Sequence, residues 1–137
     1  LPVTGLAKLC FSGKYDYSQM YELLTRKGGL LAYLGTDDVQ EIEIRIEKGD
    51  QKAKLIYEAM VYQIAKEIGA MATTLLGKVD SIVITGGIAN SKKLVNSIEE
   101  RVKFIAPVMV FPGEDEMEAL TLGVLRVLNK EEEVKEY

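Results

Sequence analysis

Apolar residues along this chain follow two patterns, helical spacing up to Gly77 and short β-branched runs interleaved with helical spacing beyond it. Leu6, Leu9 and Cys10 predict a short helix over residues 1–10, with Thr4 as candidate cap and a stop near Gly13. Asp16 or Ser18 can start a second helix through Met20, Leu23 and Leu24, ending at Gly28-Gly29. A brief apolar segment at residues 30–34 meets a turn at Gly35-Thr36-Asp37-Asp38, and Ile42, Ile44 and Ile46 follow. Their alternation also fits a strand, but the acidic residues at the start favour a helix capped by a threonine or aspartate. The longest helix is predicted over residues 50–76 and ended by Gly77. In it Ile56, Met60, Ile64, Ile68, Met71 and Leu75 form a stripe at spacings of three and four. Gly69, with Ala65, Ala70 and Ala72, predicts close approach of a neighbouring backbone, because a helix-interior glycine costs roughly 1 kcal/mol relative to alanine.

Beyond Gly77 the pattern changes. Ile82, Val83 and Ile84 run without polar alternation, which predicts a strand buried on both faces of a parallel sheet. Gly86 and Gly87 then permit positive φ and close approach of a ligand. Asn90 or Ser91 can cap a helix over residues 91–103 that turns Leu94, Val95, Ile98 and Val102 inward. A second strand, residues 108–111, lies between Pro107 and Pro112-Gly113. A connection of about twenty residues containing a helix suits parallel pairing with a right-handed crossover. The last helix is predicted over residues 115–128 with Met117, Leu120, Val124, Val127 and Leu128 inward, followed by a frayed charged tail. The expected fold class is α/β, in a single domain: mostly helical over residues 1–77, strand-helix-strand-helix over 78–129, and a tail at 130–137.

Composition removes several function classes. A chain of 137 residues with 47% apolar and 28% charged residues is ordinary for one soluble domain. The net charge of −4 provides no basic surface for nucleic acid, and the apolar runs are too short to cross a bilayer, so neither partner is expected. The lone Cys10 cannot form an internal disulfide, and the absence of a charged-then-apolar leader argues against secretion; a cytoplasmic location is expected. The complete lack of histidine excludes Ser-His-Asp and Cys-His catalysis and the usual histidine metal sites within the chain. The start at Leu1, without an initiator methionine, is what a fragment or processed chain would show.

The candidate chemistry gathers at the strand ends. In open parallel sheets ligands bind beyond the carboxyl ends of the strands. Gly86-Gly87 follows the first strand and Gly113-Glu114-Asp115-Glu116 the second, so a glycine-rich backbone surface and a carboxylate cluster are expected side by side. That suits a nucleotide with Mg²⁺, which keeps several waters and takes one or two carboxylates. A plainer alternative remains open. The glycines match neither a phosphate loop nor a dinucleotide fingerprint, and acidic residues at a helix start also serve its dipole without any ligand.

Five stretches carry a resemblance. Gly29-Leu-Leu-Ala-Tyr-Leu-Gly-Thr-Asp-Asp38, Gly49-Asp-Gln-Lys-Ala-Lys-Leu-Ile-Tyr-Glu-Ala-Met60, Tyr62-Gln-Ile-Ala-Lys-Glu-Ile-Gly-Ala-Met-Ala72, Thr85-Gly-Gly-Ile88 and Phe104-Ile-Ala-Pro-Val-Met-Val-Phe-Pro-Gly113 closely resemble the carboxyl-terminal part of butyrate kinases, a branch of the acetate and butyrate kinase family. The resemblance covers nearly the whole chain. It implies part of a ribonuclease-H-like domain of the actin and sugar-kinase superfamily, with ATP held in a cleft between two such domains. The implied reaction is reversible transfer of the γ-phosphoryl group of ATP, with Mg²⁺, to a short-chain acid such as butyrate. A carboxylate is already an ionised nucleophile at neutral pH, so the catalysis is positioning and charge neutralisation.

By that resemblance the adenosine motif is Gly86, Gly87 and Ile88 with Asn90 beside them, and the metal-side carboxylate is Glu116. A further nucleotide-contacting segment runs from Asp38 to Gln40. Relatives commonly carry arginine at the position of Gln40, and a neutral amide there weakens any phosphate contact. The family's phosphate loop, substrate arginines, active-site histidine and catalytic acid lie upstream of Leu1, as do three strands of the domain's own sheet. The chain is therefore expected to be an ATP half-site, inactive alone, that works with the missing half, a complementing chain or a homo-oligomer. The alternative from another class is a non-catalytic nucleotide-binding or assembly module that completes its fold with a partner chain.

Overall fold

A computed structural model of the chain describes residues 3–113 and 116–133, with only the backbone of Glu116 and Met117. It is a mixed α/β structure with a two-stranded parallel sheet, and it divides into two compact units, Leu1–Lys66 and Glu67–Tyr137. No helix among the described residues is long and apolar enough to cross a membrane.

The first unit is helical. It holds α1 (Val3–Cys10), α2 (Tyr17–Thr25), α3 (Gly29–Leu34), α4 (Val39–Glu47) and the first part of α5 (Gln51–Thr74). Local chemistry sets the starts. Asp16 caps α2 by accepting from the Gln19 backbone at 2.8 Å while the Gln19 side chain accepts from the Asp16 N–H at 3.0 Å, a reciprocal capping box. Asp38 caps α4, which is a helix and not the strand its alternating isoleucines also allow. Thr4, in contrast, lies inside α1 and not at its cap.

Asp50 joins two elements. Its carboxylate accepts from the Ala53 N–H at the start of α5 (2.9 Å) and from Arg45 Nε and Nη2 (3.0 and 2.8 Å), and Arg45 also donates to the Leu34 carbonyl at 2.9 Å. The fully or nearly fully buried side chains of this unit are Met20, Ile42, Ala53, Tyr57 and Val61. The buried stripe of α5 is therefore Ala53-Tyr57-Val61, one step around the helix from the stripe that spacing predicts. Ile56, Met60 and Ile64 are only half-buried, and Met71 and Leu75 are exposed. Larger apolar residues lie on the predicted stripe, but α5 is apolar over much of its circumference, and the side that α4 engages is the one that becomes dry.

The second unit holds β1 (Ile82–Gly86), a 3₁₀ turn (Gly87–Asn90), α6 (Lys92–Val102), β2 (Val108–Pro112) and α7 (Glu116–Leu128). The strands pair in parallel with Ile82 opposite Val108 and Gly86 opposite Pro112, and the Ile82 N–H donates to the Pro107 carbonyl at 2.9 Å. The core consists of Ile82, Ile84, Ala89, Leu94, Val95, Ile98, Val102 and Ala106, so the four apolar positions expected of α6 all face inward.

Three expectations are corrected here. Val83 is 55% exposed while Ile82 and Ile84 are buried, so among the described residues β1 is covered on one face only. Leu120, Val124 and Leu128 of α7 are exposed rather than inward. Finally, a Cβ at Gly69 would meet no other atom within 4 Å, so no backbone approaches it among the described residues. Each correction has the same cause: apolar spacing marks a face that could be buried, and burial also needs a partner surface. The start of the tail is better ordered than expected. Lys130, at φ 61°, closes α7 with a Schellman turn in which the Glu131 N–H reaches the Arg126 carbonyl at 2.8 Å and the Lys130 N–H reaches Val127 at 3.0 Å.

Candidate functional site

The site is built at the carboxyl end of β1. Gly86 sits at φ 74° and ψ −161°, a region that is essentially glycine-only, and a Cβ there would meet nothing within 4 Å. Conformation rather than crowding requires glycine, and the backbone above Gly86 is left open. Gly87 opens the 3₁₀ turn without positive φ, so one of the two glycines, not both, uses that freedom. Ala89 is buried beneath the turn while Ile88 and Asn90 are exposed. Of the two candidate caps for α6, Ser91 is the one used: its hydroxyl accepts from the Leu94 N–H at 3.0 Å.

A groove of about 410 Å³ opens beside this turn, within the roughly 300–1,000 Å³ range of small-molecule sites. Its apolar lining comes from Ala89, Val95, Val110 and Pro112. Its polar lining comes from Asn90, Lys92, Asn96 and Glu99. Lys92, Val95, Asn96 and Glu99 fall at helical spacings of three, four and seven, so one face of α6 supplies half of the groove. The sequence points to Asn90 as a site residue and to Val95 as core, and it does not single out Lys92, Asn96 or Glu99. The signal available was that same spacing read on the side of α6 next to the glycine turn, where Lys92, Asn96 and Glu99 are polar positions flanking the buried Val95.

The other expected site residues have different surroundings. Asp38 and Gln40 belong to the first unit, both exposed. The Asp38 carboxylate is engaged as the cap of α4, accepting from the backbone N–H groups of Gln40 at 2.9 Å and Glu41 at 3.4 Å. The backbone of Glu116 opens α7, but its side chain lies outside the described residues. Among the described residues no three histidine, cysteine, aspartate or glutamate side chains converge as metal ligands.

A model of the acetokinase family matches residues 12–118. The chain belongs to the acetokinase family. Solved structures agree in fold. The acetate kinase of Porphyromonas gingivalis superposes with a TM-score of 0.75 at 23% identity, over 91% of this chain and 38% of that one. A propionate kinase from Francisella tularensis subsp. tularensis SCHU S4 superposes with a TM-score of 0.69 at 22% identity, over 85% and 36%. The chain thus spans less than two fifths of the length of either structure.

Proposed function

We propose that this chain supplies the adenosine side of the ATP site in a short-chain carboxylate kinase, with butyrate as the acid that its sequence resemblance favours. The observation that carries the reading is the open groove beside Gly86, at the carboxyl ends of two parallel strands, in a chain of the acetokinase family. We read the sheet as part of a ribonuclease-H-like domain. In the reaction a carboxylate oxygen of the acid bonds to the γ-phosphorus of ATP, the bond from that phosphorus to the bridging oxygen breaks, and ADP leaves. The part of this chain is to hold and orient. The apolar lining receives the base, the open space above the half-buried Gly86 backbone allows close approach of the sugar and phosphates, and Lys92 adds a positive charge near the turn. Asp38 and Gln40 are proposed as a second nucleotide contact, in which Asp38 acts through the backbone turn it caps.

Mg²⁺ would neutralise charge on the transferring phosphates. The described donors do not make a site for it, since Glu99 is the groove's single carboxylate. Glu116 is the proposed metal-side group. Among the described residues Lys92 is the groove's one cationic group, so activity is expected to need protein outside this chain.

The test has two arms. Calorimetric titration of the chain with ATP and Mg²⁺ is expected to give saturable binding, and a hydroxamate assay with butyrate is expected to give no acyl phosphate. Absence of binding at millimolar ATP would overturn the nucleotide reading; butyryl hydroxamate made by the chain alone would overturn the half-site reading. In a longer protein that contains this chain, a higher kcat/KM for acetate than for butyrate would overturn the choice of acid.

A second reading, an assembly module that completes its sheet with a partner chain, is favoured by the bare side of the sheet. There Val83, Met109 and Phe111 are each about half exposed, on a two-stranded sheet of a size marginal by itself. Sedimentation of the pure chain separates the readings, because a monomer that binds ATP favours the first.

A further inference from the structure

Arg45 closes the turn that separates α3 from α4. From the last turn of α4 its Nη1 donates to the Leu34 carbonyl at 2.9 Å, eleven residues back in the chain, where α3 ends and the segment 35–38 begins. A carbonyl at a helix end has no donor within its own helix, and a basic side chain can supply one. The guanidinium is itself held from another side. Nε and Nη2 both donate to Asp50 Oδ2, at 3.0 and 2.8 Å, and Asp50 Oδ1 accepts from the Ala53 N–H at 2.9 Å as α5 begins. Arg45 and Asp50 are both half-buried, so water competes only in part for these bonds. The segment so enclosed is the one that presents Asp38 and Gln40. Its own bonds are local: Thr36 Oγ1 accepts from the Asp38 N–H at 3.2 Å, and the Asp38 carboxylate accepts from the Gln40 N–H at 2.9 Å. They shape the turn and start α4, whereas the bond from Arg45 to Leu34 ties α4 back to the end of α3.

Resting on the nucleotide reading above, we propose that Arg45, anchored by Asp50, is a positioning residue for nucleotide binding, which holds the turn of residues 35–38 so that Asp38 and Gln40 stand in place before ATP arrives. Arg45 touches no ligand in this role, because its donors are turned to Leu34 and Asp50. Its effect is on populations. A ligand that binds a segment in its competent arrangement only a fraction of the time loses affinity by that fraction, so a turn released to about one tenth occupancy binds about tenfold more weakly. The shape of the side chain matters as well as its charge. Lysine keeps the charge but replaces the planar fork with a single nitrogen, which cannot reproduce the geometry that reaches Asp50 and Leu34 together.

The test is calorimetric titration of the full 137-residue chain with magnesium-ATP, as wild type and as the Arg45→Lys, Asp50→Asn and Tyr57→Phe variants, at a temperature below every melting transition. Tyr57→Phe is the control for stability: it removes a different bond between α5 and α4, from the Tyr57 hydroxyl to Glu43, and leaves the turn alone. Arg45→Lys is expected to bind ATP about tenfold more weakly. Asp50→Asn is expected to show a smaller loss, since the guanidinium keeps Leu34 and loses its anchor. Tyr57→Phe is expected to bind as the wild type does. Without ATP, amide exchange at the Asp38 N–H is expected to quicken in Arg45→Lys and not in Tyr57→Phe. Wild-type affinity in Arg45→Lys overturns the inference, as does an equal loss in Tyr57→Phe, which would mark a role in stability alone. If Arg45→Lys does not fold, Asp50→Asn decides by itself: weakened ATP binding supports the inference and unchanged binding overturns it. Either overturning result leaves the proposed function standing, whereas absence of ATP binding by the wild-type chain removes both.

Discussion

The Tyr57 hydroxyl donates a 2.8 Å hydrogen bond to Glu43 Oε1, which ties the buried side of α5 to α4. Tyr57 is only 4% exposed, so its ring is core and its hydroxyl reaches a charged acceptor at the edge of that core. Replacement by phenylalanine keeps the packing and removes the bond. Tyr57→Phe is expected to lower stability by about 1 kcal/mol, read from the urea midpoint at unchanged slope. An unchanged midpoint would mean that water replaces the bond at no cost.

Asp50 makes the chain sensitive to acid. The Ala53 N–H first, and then the Arg45 guanidinium, hold its carboxyl below the usual aspartate range. A folded pKa below the unfolded one contributes stability that is present above about pH 4 and lost as pH falls through the folded value. Asp50→Asn is expected to melt below the wild type near neutral pH, with the gap closing as both are acidified. A gap of constant size across that range would show that the carboxylate's charge has no part in it.

Gly86 is required for its backbone angles. At φ 74° and ψ −161° an alanine is strained even though its Cβ has open space. Gly86→Ala is expected to cost roughly 1–3 kcal/mol and to weaken ATP binding together with stability. Retained stability with lost binding would instead mark a direct steric role above the turn.

Gly69 leads to the opposite expectation. It lies inside α5 with nothing within 4 Å of an added Cβ. Gly69→Ala is expected to stabilise this chain by up to about 1 kcal/mol through helix propensity. Destabilisation, seen as a lower thermal midpoint, would mean that another surface packs there in solution.

The local features of this protein are written in short stretches of its chain. Asp16, Asp38, Asp50 and Ser91 start helices through bonds to N–H groups two or three residues away, so their roles are readable from a few neighbouring letters. The parallel pair was readable too, because Ile82, Val83 and Ile84, the helix after them and the run from Val108 leave few other arrangements. Membership of the acetokinase family was legible in five stretches between Gly29 and Gly113 taken together, not in the glycine turn alone. Which apolar faces are dry depends on long-range packing. Ala53, Tyr57 and Val61 are buried in place of Ile56, Met60 and Ile64, and Val83 is open to solvent while Ile82 and Ile84 are not. It also decided that Lys92, Asn96 and Glu99 line a groove with Val110 and Pro112. Caps, turns and strand propensity act over a few residues and are encoded where they act, whereas burial and a groove need two surfaces that are distant in sequence to meet.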